Sequence, residues 1–290
     1  MINNFNFLQA KNIKHAVDVL AREERVCPVV GGTNVLVNMK RGPLPVDTIL
    51  DLSGLSALRS ITTDDGIISL GAGVNVAELL EWSKANSVAA ELFSPMCSEF
   101  AGPLIRNLAT VGGNICDASP ASDLAPPLLA LDASVVLASK AREIRKIKLA
   151  DFFQGVRLTD RLPDELMTHI EFQQPNDERF YYYKLGKRKA DAISIVSVAI
   201  SIKYDKEKVK RARIALGASA PIPFRSKSAE EVLFEKAMDP QIVDSAAAAA
   251  VADSNPIDDH RASAEYRRRM IEVLIKRGLT KIADERVNSR

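Results

Sequence analysis

"LATVGGNICDASPASDLAPPLL", residues 108–129, joins an apolar run to Gly112-Gly113-Asn114 and then sets Asp123 among small residues and prolines. A glycine pair after a β-prone run marks a place where backbone turns tightly or is approached closely. Three readings are open at this point: a plain turn, a buried bend, or a cofactor.

A similar stretch lies upstream: Val29-Val30-Gly31-Gly32-Thr33-Asn34-Val35-Leu36. Like Thr110-Val111-Gly112-Gly113-Asn114, it follows a strand-like run and carries Thr and Asn beside the glycines. Backbone N–H dipoles can converge on phosphate oxygens where no Cβ stands in the way. One pair alone reads as a turn; two similar pairs read as opposite walls of one diphosphate site. Neither is a G-x-G-x-x-G fingerprint nor a G-x-x-x-x-G-K-[ST] loop, so a doubly wound nucleotide domain is disfavoured. Asp123 is placed either to accept hydrogen bonds from ribose or ring groups or to N-cap the apolar stretch 124–131. The basic cluster Lys184-Leu185-Gly186-Lys187-Arg188-Lys189 answers either a bound anion or ring, or only solvent.

Composition sets the frame. The chain has 290 residues, 47% of them apolar, with 39 basic and 37 acidic side chains and a formal net charge of +2. That is enough apolar material for a core, and the balanced charge gives no reason to expect nucleic acid or an anionic membrane. No apolar run approaches the roughly 18–20 residues that span a bilayer. The N-terminus lacks the basic start and apolar centre of a secretory signal, so a cytoplasmic location is expected. Cys27, Cys97 and Cys116 are widely spaced, and only His15, His169 and His260 could supplement them. No metal site or iron–sulfur cluster held by this chain is expected; the cysteines read as reduced thiols in or near cores.

The patterning predicts an α+β protein. Residues 15–21 fit a short amphipathic helix, and 26–32, 47–53 and 66–73 fit strands with turn residues at their ends. Asn75 and Glu78 form a capping pair before a helix. Strands are expected at 133–139 and 166–172, then a polar linker over 173–179. Beyond it, 192–205 reads as one long strand with 209–218 as its hairpin partner. Ser228 and Glu231 read as another capping box, and helices follow from 246. Arg267, Arg268 and Arg269 read as a solvated helix face. "FYYYKLGK" (180–187) reads either as an aromatic edge strand or as part of a cofactor wall or partner surface.

Three stretches carry a resemblance: "VVGGTNVLVNMKRG", "LATVGGNICDASPASDLAPPLLALDA" and "YYYKLGKRKADAISIVSVAISI", in that order. Together they resemble the FAD-binding medium subunit of the molybdenum hydroxylases, the xanthine dehydrogenase and carbon monoxide dehydrogenase group, across essentially the whole chain. The resemblance implies a vanillyl-alcohol-oxidase-type (PCMH-type) FAD-binding fold. Two α/β subdomains, 1–57 and 58–176, would hold FAD between them, and 177–290 would be a C-terminal α+β domain with a three-stranded sheet. It places Val29, Val30, Gly31, Gly32, Thr33, Asn34 and Val35 on one side of the FAD diphosphate. Thr110, Val111, Gly112, Gly113 and Asn114 would lie on the other. Phe100 would lie near the cofactor, Asp123 would hydrogen-bond it, Met167 would contact the ring edge, and Lys184 would stand by the isoalloxazine.

The same resemblance implies an oxidoreductase subunit that transfers electrons and has no catalytic acid or base of its own. Its partners would be a large molybdopterin subunit and a small subunit with two [2Fe–2S] clusters, assembled as a dimer of heterotrimers. Electrons would pass between those clusters and an outside acceptor such as NAD or a quinone. No histidine falls within the glycine-pair motifs, so the FAD is expected to be noncovalent. A free-standing flavin oxidoreductase of the same superfamily is the alternative, and a flavin-free scaffold a third reading.

Overall fold

A computed structural model describes residues 4–42, 45–188 and 190–288. The chain begins with β1 (Asn6–Gln9), α1 (Ile13–Arg22), β2 (Val26–Val29), α2 (Val35–Arg41) and β3 (Thr48–Asp51). Both outer strands run parallel to β3, in the order β1-β3-β2, as crossover helices require. Asn12 starts α1 by accepting the His15 N–H at 2.8 Å. The apolar stripe Ala16, Val17, Val19 and Leu20 then packs with Leu50 and Leu52. The strand expected over 26–32 ends at Val29, because Gly32 takes φ +64°, a left-handed turn that suits glycine.

The middle of the chain contributes β4 (Ile61–Asp64), β5 (Ile67–Gly71), α3 (Val76–Ala85), α4 (Ser87–Glu99), α5 (Pro103–Arg106), α6 (Val111–Cys116) and α7 (Ala125–Ala130). It continues with β6 (Ser134–Ser139), β7 (Glu143–Lys148), α8 (Leu149–Phe152), β8 (Phe153–Gly155), β9 (Leu158–Thr159) and β10 (Leu166–Gln173). Five strands form an antiparallel sheet, β4-β5-β10-β6-β7, and β8 pairs with β9 as a hairpin. The Asn75–Glu78 capping box forms in both directions, at 2.8 and 2.9 Å. Strands β4 and β7 were not anticipated; β4 is short and polar. Its hairpin to β5 turns on Asp65-Gly66, both with positive φ, a two-residue signal that was present in the sequence. The run before Gly112 is not a strand: Thr110 N-caps α6, its Oγ1 accepting the Gly113 N–H at 3.1 Å.

The last part is an antiparallel sheet of four strands rather than the expected three: β11 (Glu178–Leu185), β12 (Val196–Asp205), β13 (Lys208–Gly217) and the two-residue β14 (Phe224–Arg225), which pairs with β13. Helices α9 (Lys227–Leu233), α10 (Pro240–Asp253) and α11 (Ala264–Asn288) complete it. Strand alternation makes β11 the seam of the molecule. Phe180 and Tyr182 enter the core of the middle part, whereas Tyr181 faces Gly278 of α11. Tyr181 and Tyr182 are thus buried rather than exposed as a partner surface, and β11 is an edge strand covered by α4.

Other expectations shift. The polar connection narrows to 174–177, and the long strand starts at Val196 rather than 192. The hairpin of 192–205 with 209–218 is present as β12–β13. Ser228 does not cap α9; it donates to Asp253 Oδ1 at 2.8 Å. Arg268 and Arg269 are exposed, but Arg267 is buried. It donates to the Ile195 and Ala218 carbonyls at 2.5 and 3.2 Å and to Asp259 at 2.8 Å. Among the described residues, no helix is long and apolar enough to cross a membrane.

Candidate functional site

All three parts of the chain contribute to a cavity of about 800 Å³. Its walls come from the β2–α2 turn, the segment from Phe100 to Asp123, the β8–β9 hairpin with the start of β10, and the loop before β12. Fourteen of the sixteen residues expected at the site line it: Val29, Val30, Gly31, Gly32, Thr33, Asn34, Val35, Phe100, Thr110, Gly112, Gly113, Asn114, Asp123 and Met167. Val111 and Lys184 do not. Val111 is a core side chain of α6, and Lys184 stands behind Asp123.

The two glycine pairs differ in what they offer. In the first, the N–H groups of Gly31, Gly32, Thr33, Asn34 and Val35 donate to nothing among the described residues, and all five residues border the cavity. In the second, the N–H groups of Val111, Gly112, Gly113 and Asn114 are all engaged. Val111 donates to Val74 O at 2.9 Å, Gly112 to Ala72 O at 2.8 Å, Gly113 to Thr110 Oγ1 and Asn114 to Thr110 O at 3.0 Å. Only the first pair is therefore an open row of donors. Gly112 is glycine because a Cβ there would meet Ala72 Cβ at 2.6 Å. Gly31 has a packing reason of its own: a Cβ would fall 1.7 Å from the Leu108 carbonyl oxygen, so the two motifs touch backbone to backbone.

Asp123 does not cap α7; the Ala125 N–H at the start of that helix donates to Ser122 Oγ at 3.2 Å. The Asp123 carboxylate instead receives Lys184 Nζ at 2.6 Å and Ser194 Oγ at 2.7 Å, and it forms part of the cavity wall. Burial pushes its carboxyl above the ordinary range, against the pull of Lys184. Each carboxylate oxygen retains capacity for a further donor. Among the described residues of the basic cluster, only Lys184 is buried. Lys187 and Arg188 bond the carbonyls of His260 and Asp191, and Lys189 lies outside the described residues.

Sequence patterns missed Arg157, Arg161 and Asp191 on the wall, because a hairpin and a loop distant in sequence bring them there. Arg157 pairs with Asp117 at 2.5 Å. Arg161 donates through Nη1 to the carbonyls of Leu162 and Glu165, at 3.1 and 2.7 Å. Cys27 and Cys116 also line the cavity, and burial raises both thiols, Cys116 to about 11. Among the described residues no His, Cys, Asp and Glu cluster could hold a metal ion.

Comparison with known proteins gives the same answer along the whole chain. Residues 3–175 match the family described as the FAD binding domain in molybdopterin dehydrogenase. Residues 181–282 match the CO dehydrogenase flavoprotein C-terminal domain. The glyceraldehyde dehydrogenase medium chain of Sulfolobus acidocaldarius is 30% identical, with 96% of this chain and 98% of the relative covered. The xanthine dehydrogenase FAD-binding subunit of Escherichia coli O157:H7 is 28% identical over 96% and 95%. In the solved CO dehydrogenase of Oligotropha carboxidovorans, one chain superposes with a TM-score of 0.91 at 26% identity, covering 98% and 99% of the two chains.

Proposed function

The chain belongs to the FAD-binding family of the molybdopterin dehydrogenases, the medium subunits of molybdenum hydroxylases, and we propose that it carries electrons between partner subunits and an outside acceptor. It is an oxidoreductase subunit whose cofactor is FAD. The observation that carries the reading is the row of five N–H groups at residues 31–35, unengaged among the described residues, in residues that line a cavity of dinucleotide size. Cofactor sites span about 300–1,000 Å³, and 800 Å³ leaves room for an extended ligand.

These residues fit FAD. The backbone of Gly31, Gly32, Thr33, Asn34 and Val35 would hold the diphosphate, with Thr110, Gly112, Gly113 and Asn114 forming the facing wall by contact rather than by N–H donation. Phe100 and Met167 would bound the ring system, and Asp123 would accept from it. Lys184 would act through Asp123 instead of touching the cofactor. Bound FAD supplies both one-electron and two-electron chemistry. The protein contributes position, exclusion of water and the fixed charges of the Lys184–Asp123 pair. The flavin would be held noncovalently, since no histidine falls within the glycine-pair motifs.

The proposal extends to assembly. A large molybdopterin subunit and a small [2Fe–2S] subunit would complete the enzyme as a dimer of heterotrimers, with NAD or a quinone as acceptor. The domain limits 1–57, 58–176 and 177–290 belong to the same reading. Its test is the visible spectrum of the purified chain, with mass identification of what acid releases. Released FAD supports it. A chain that stays colourless after refolding with FAD and co-expression with partner subunits overturns it.

A further inference from the structure

We infer that Arg267 of α11 is a positioning residue: it clamps the two points of the C-terminal sheet that grip residues 120–123 of the cavity wall. The C-terminal part thereby takes a share in holding the flavin. That last step rests on the FAD reading above, whereas the clamp rests on hydrogen bonds within the chain.

Residues Ser119, Ala121, Ser122 and Asp123 all border the cavity. Two straps from the C-terminal sheet hold this segment. Ser194 Oγ, in the loop ahead of β12, donates to Asp123 Oδ1 at 2.7 Å. The Ala218 N–H, just beyond β13, donates to Pro120 O at 2.7 Å. Ser197 and Gly217 are paired in the sheet, so both straps leave it at the same end. Arg267 stands behind both. Its Nη1 donates to Ile195 O at 2.5 Å, one residue past Ser194, and to Ala218 O at 3.2 Å.

The guanidinium is itself aimed. Its Nη2 donates to Asp259 Oδ1 at 2.8 Å, and that oxygen also accepts the N–H groups of Arg261 and Ala262 at 2.7 and 3.3 Å. Arg267 is only 2% exposed, and the same face of α11 continues through Ile271, Leu274 and Ile275 into the C-terminal core. An apolar residue would serve packing there at no cost in desolvation. A planar fork of donors does what an apolar residue cannot: it fixes two carbonyls relative to each other. Ala218 supports the same reading, because its φ of +56° is left-handed backbone that an L-residue adopts at a cost. Its N–H and its C=O are both engaged, by Pro120 and Arg267, and these bonds hold it there.

The test uses the full chain and two readouts. In the flavin-free chain, amide hydrogen exchange over residues 118–124 is followed by mass spectrometry. Arg267→Lys keeps the charge but not the fork, and it should speed exchange there about fivefold. Arg277→Met, on the same helix with its guanidinium over the Tyr183 ring, should leave it unchanged. In FAD titrations, Arg267→Lys and Ser194→Ala should each weaken binding about five- to tenfold, and the double variant by less than the product of the two. Exchange and FAD affinity at wild-type values in Arg267→Lys, or a full multiplicative loss in the double variant, overturn the assignment. If Arg267→Lys does not fold, Asp259→Ala decides, since it removes the carboxylate that aims the guanidinium; wild-type values in both readouts refute the clamp. A wild-type chain that takes up no FAD overturns the FAD reading, while the exchange result still decides the clamp.

Discussion

Lys184 Nζ lies 2.6 Å from Asp123 Oδ2, and this buried ion pair ties the edge strand of the C-terminal sheet to the segment that lines the cavity. Glu99 O takes a second bond from Lys184 at 3.1 Å, and Ser194 Oγ donates to the other carboxylate oxygen of Asp123 at 2.7 Å. Asp123 is therefore a wall of the site and a tether between two parts of the fold. Its charge is tolerated because the ammonium beside it offsets burial.

Lys184→Met leaves Asp123 buried without its partner. The expected cost is about 3–5 kcal/mol, read by urea denaturation, and Asp123→Asn in the same chain should restore part of it. The pH dependence has a definite sign. Without Lys184 the folded-state pKa of Asp123 rises further above the ordinary value, so the penalty is complete above that pKa and lifts as pH falls. The variant should gain on wild type with acidification. Strict additivity of the two substitutions, or a gap from wild type that stays constant with pH, would contradict this account.

Gly31 and Gly113 look alike in sequence and should behave differently. Alanine at 31 drives Cβ into the Leu108 backbone, which cannot swing aside, and should cost about 1–3 kcal/mol along with most of the bound flavin. Alanine at 113 meets only Thr110 Oγ1, at 2.8 Å, and should cost about 1 kcal/mol through the lost cap. Flavin content per chain and melting temperature measure both. Equal effects would show that the motifs act as equivalent cradles.

Asp132 links the turn after α7 to the C-terminal sheet through Arg225 at 3.0 Å, and it also receives Lys148 at 2.8 Å. Burial would raise its carboxyl, but the Lys148 bond and the charges of Arg213, Lys148 and Arg225 hold it below its ordinary 3.8. A depressed carboxylate stabilises the fold above its unfolded pKa and loses that contribution as pH falls through the folded value. Wild type should therefore weaken below about pH 4 more steeply than Asp132→Asn, by less than about 1 kcal/mol since the pair is partly exposed. Denaturation midpoints from pH 6 to pH 3 decide it; identical slopes would remove Asp132 from the acid response.

By itself the sequence determined the local rules. Periodicity and caps marked α1, the Asn75–Glu78 start of α3 and the β12–β13 hairpin. The glycine pairs marked two stretches of the cavity wall, because backbone conformation and side-chain direction depend on near neighbours. The same patterns could not say that the second pair's N–H groups are engaged within the chain. Nor could they say that Gly31 exists to let Leu108 approach, or that Arg267 is buried on the carbonyls of Ile195 and Ala218. Lys184 and Asp123 are 61 positions apart, and Arg161 reaches the cavity only because a hairpin carries it there. Which donors stay open and which charges stay unpaired is settled by partners brought from far along the chain, and only the tertiary structure chooses those partners.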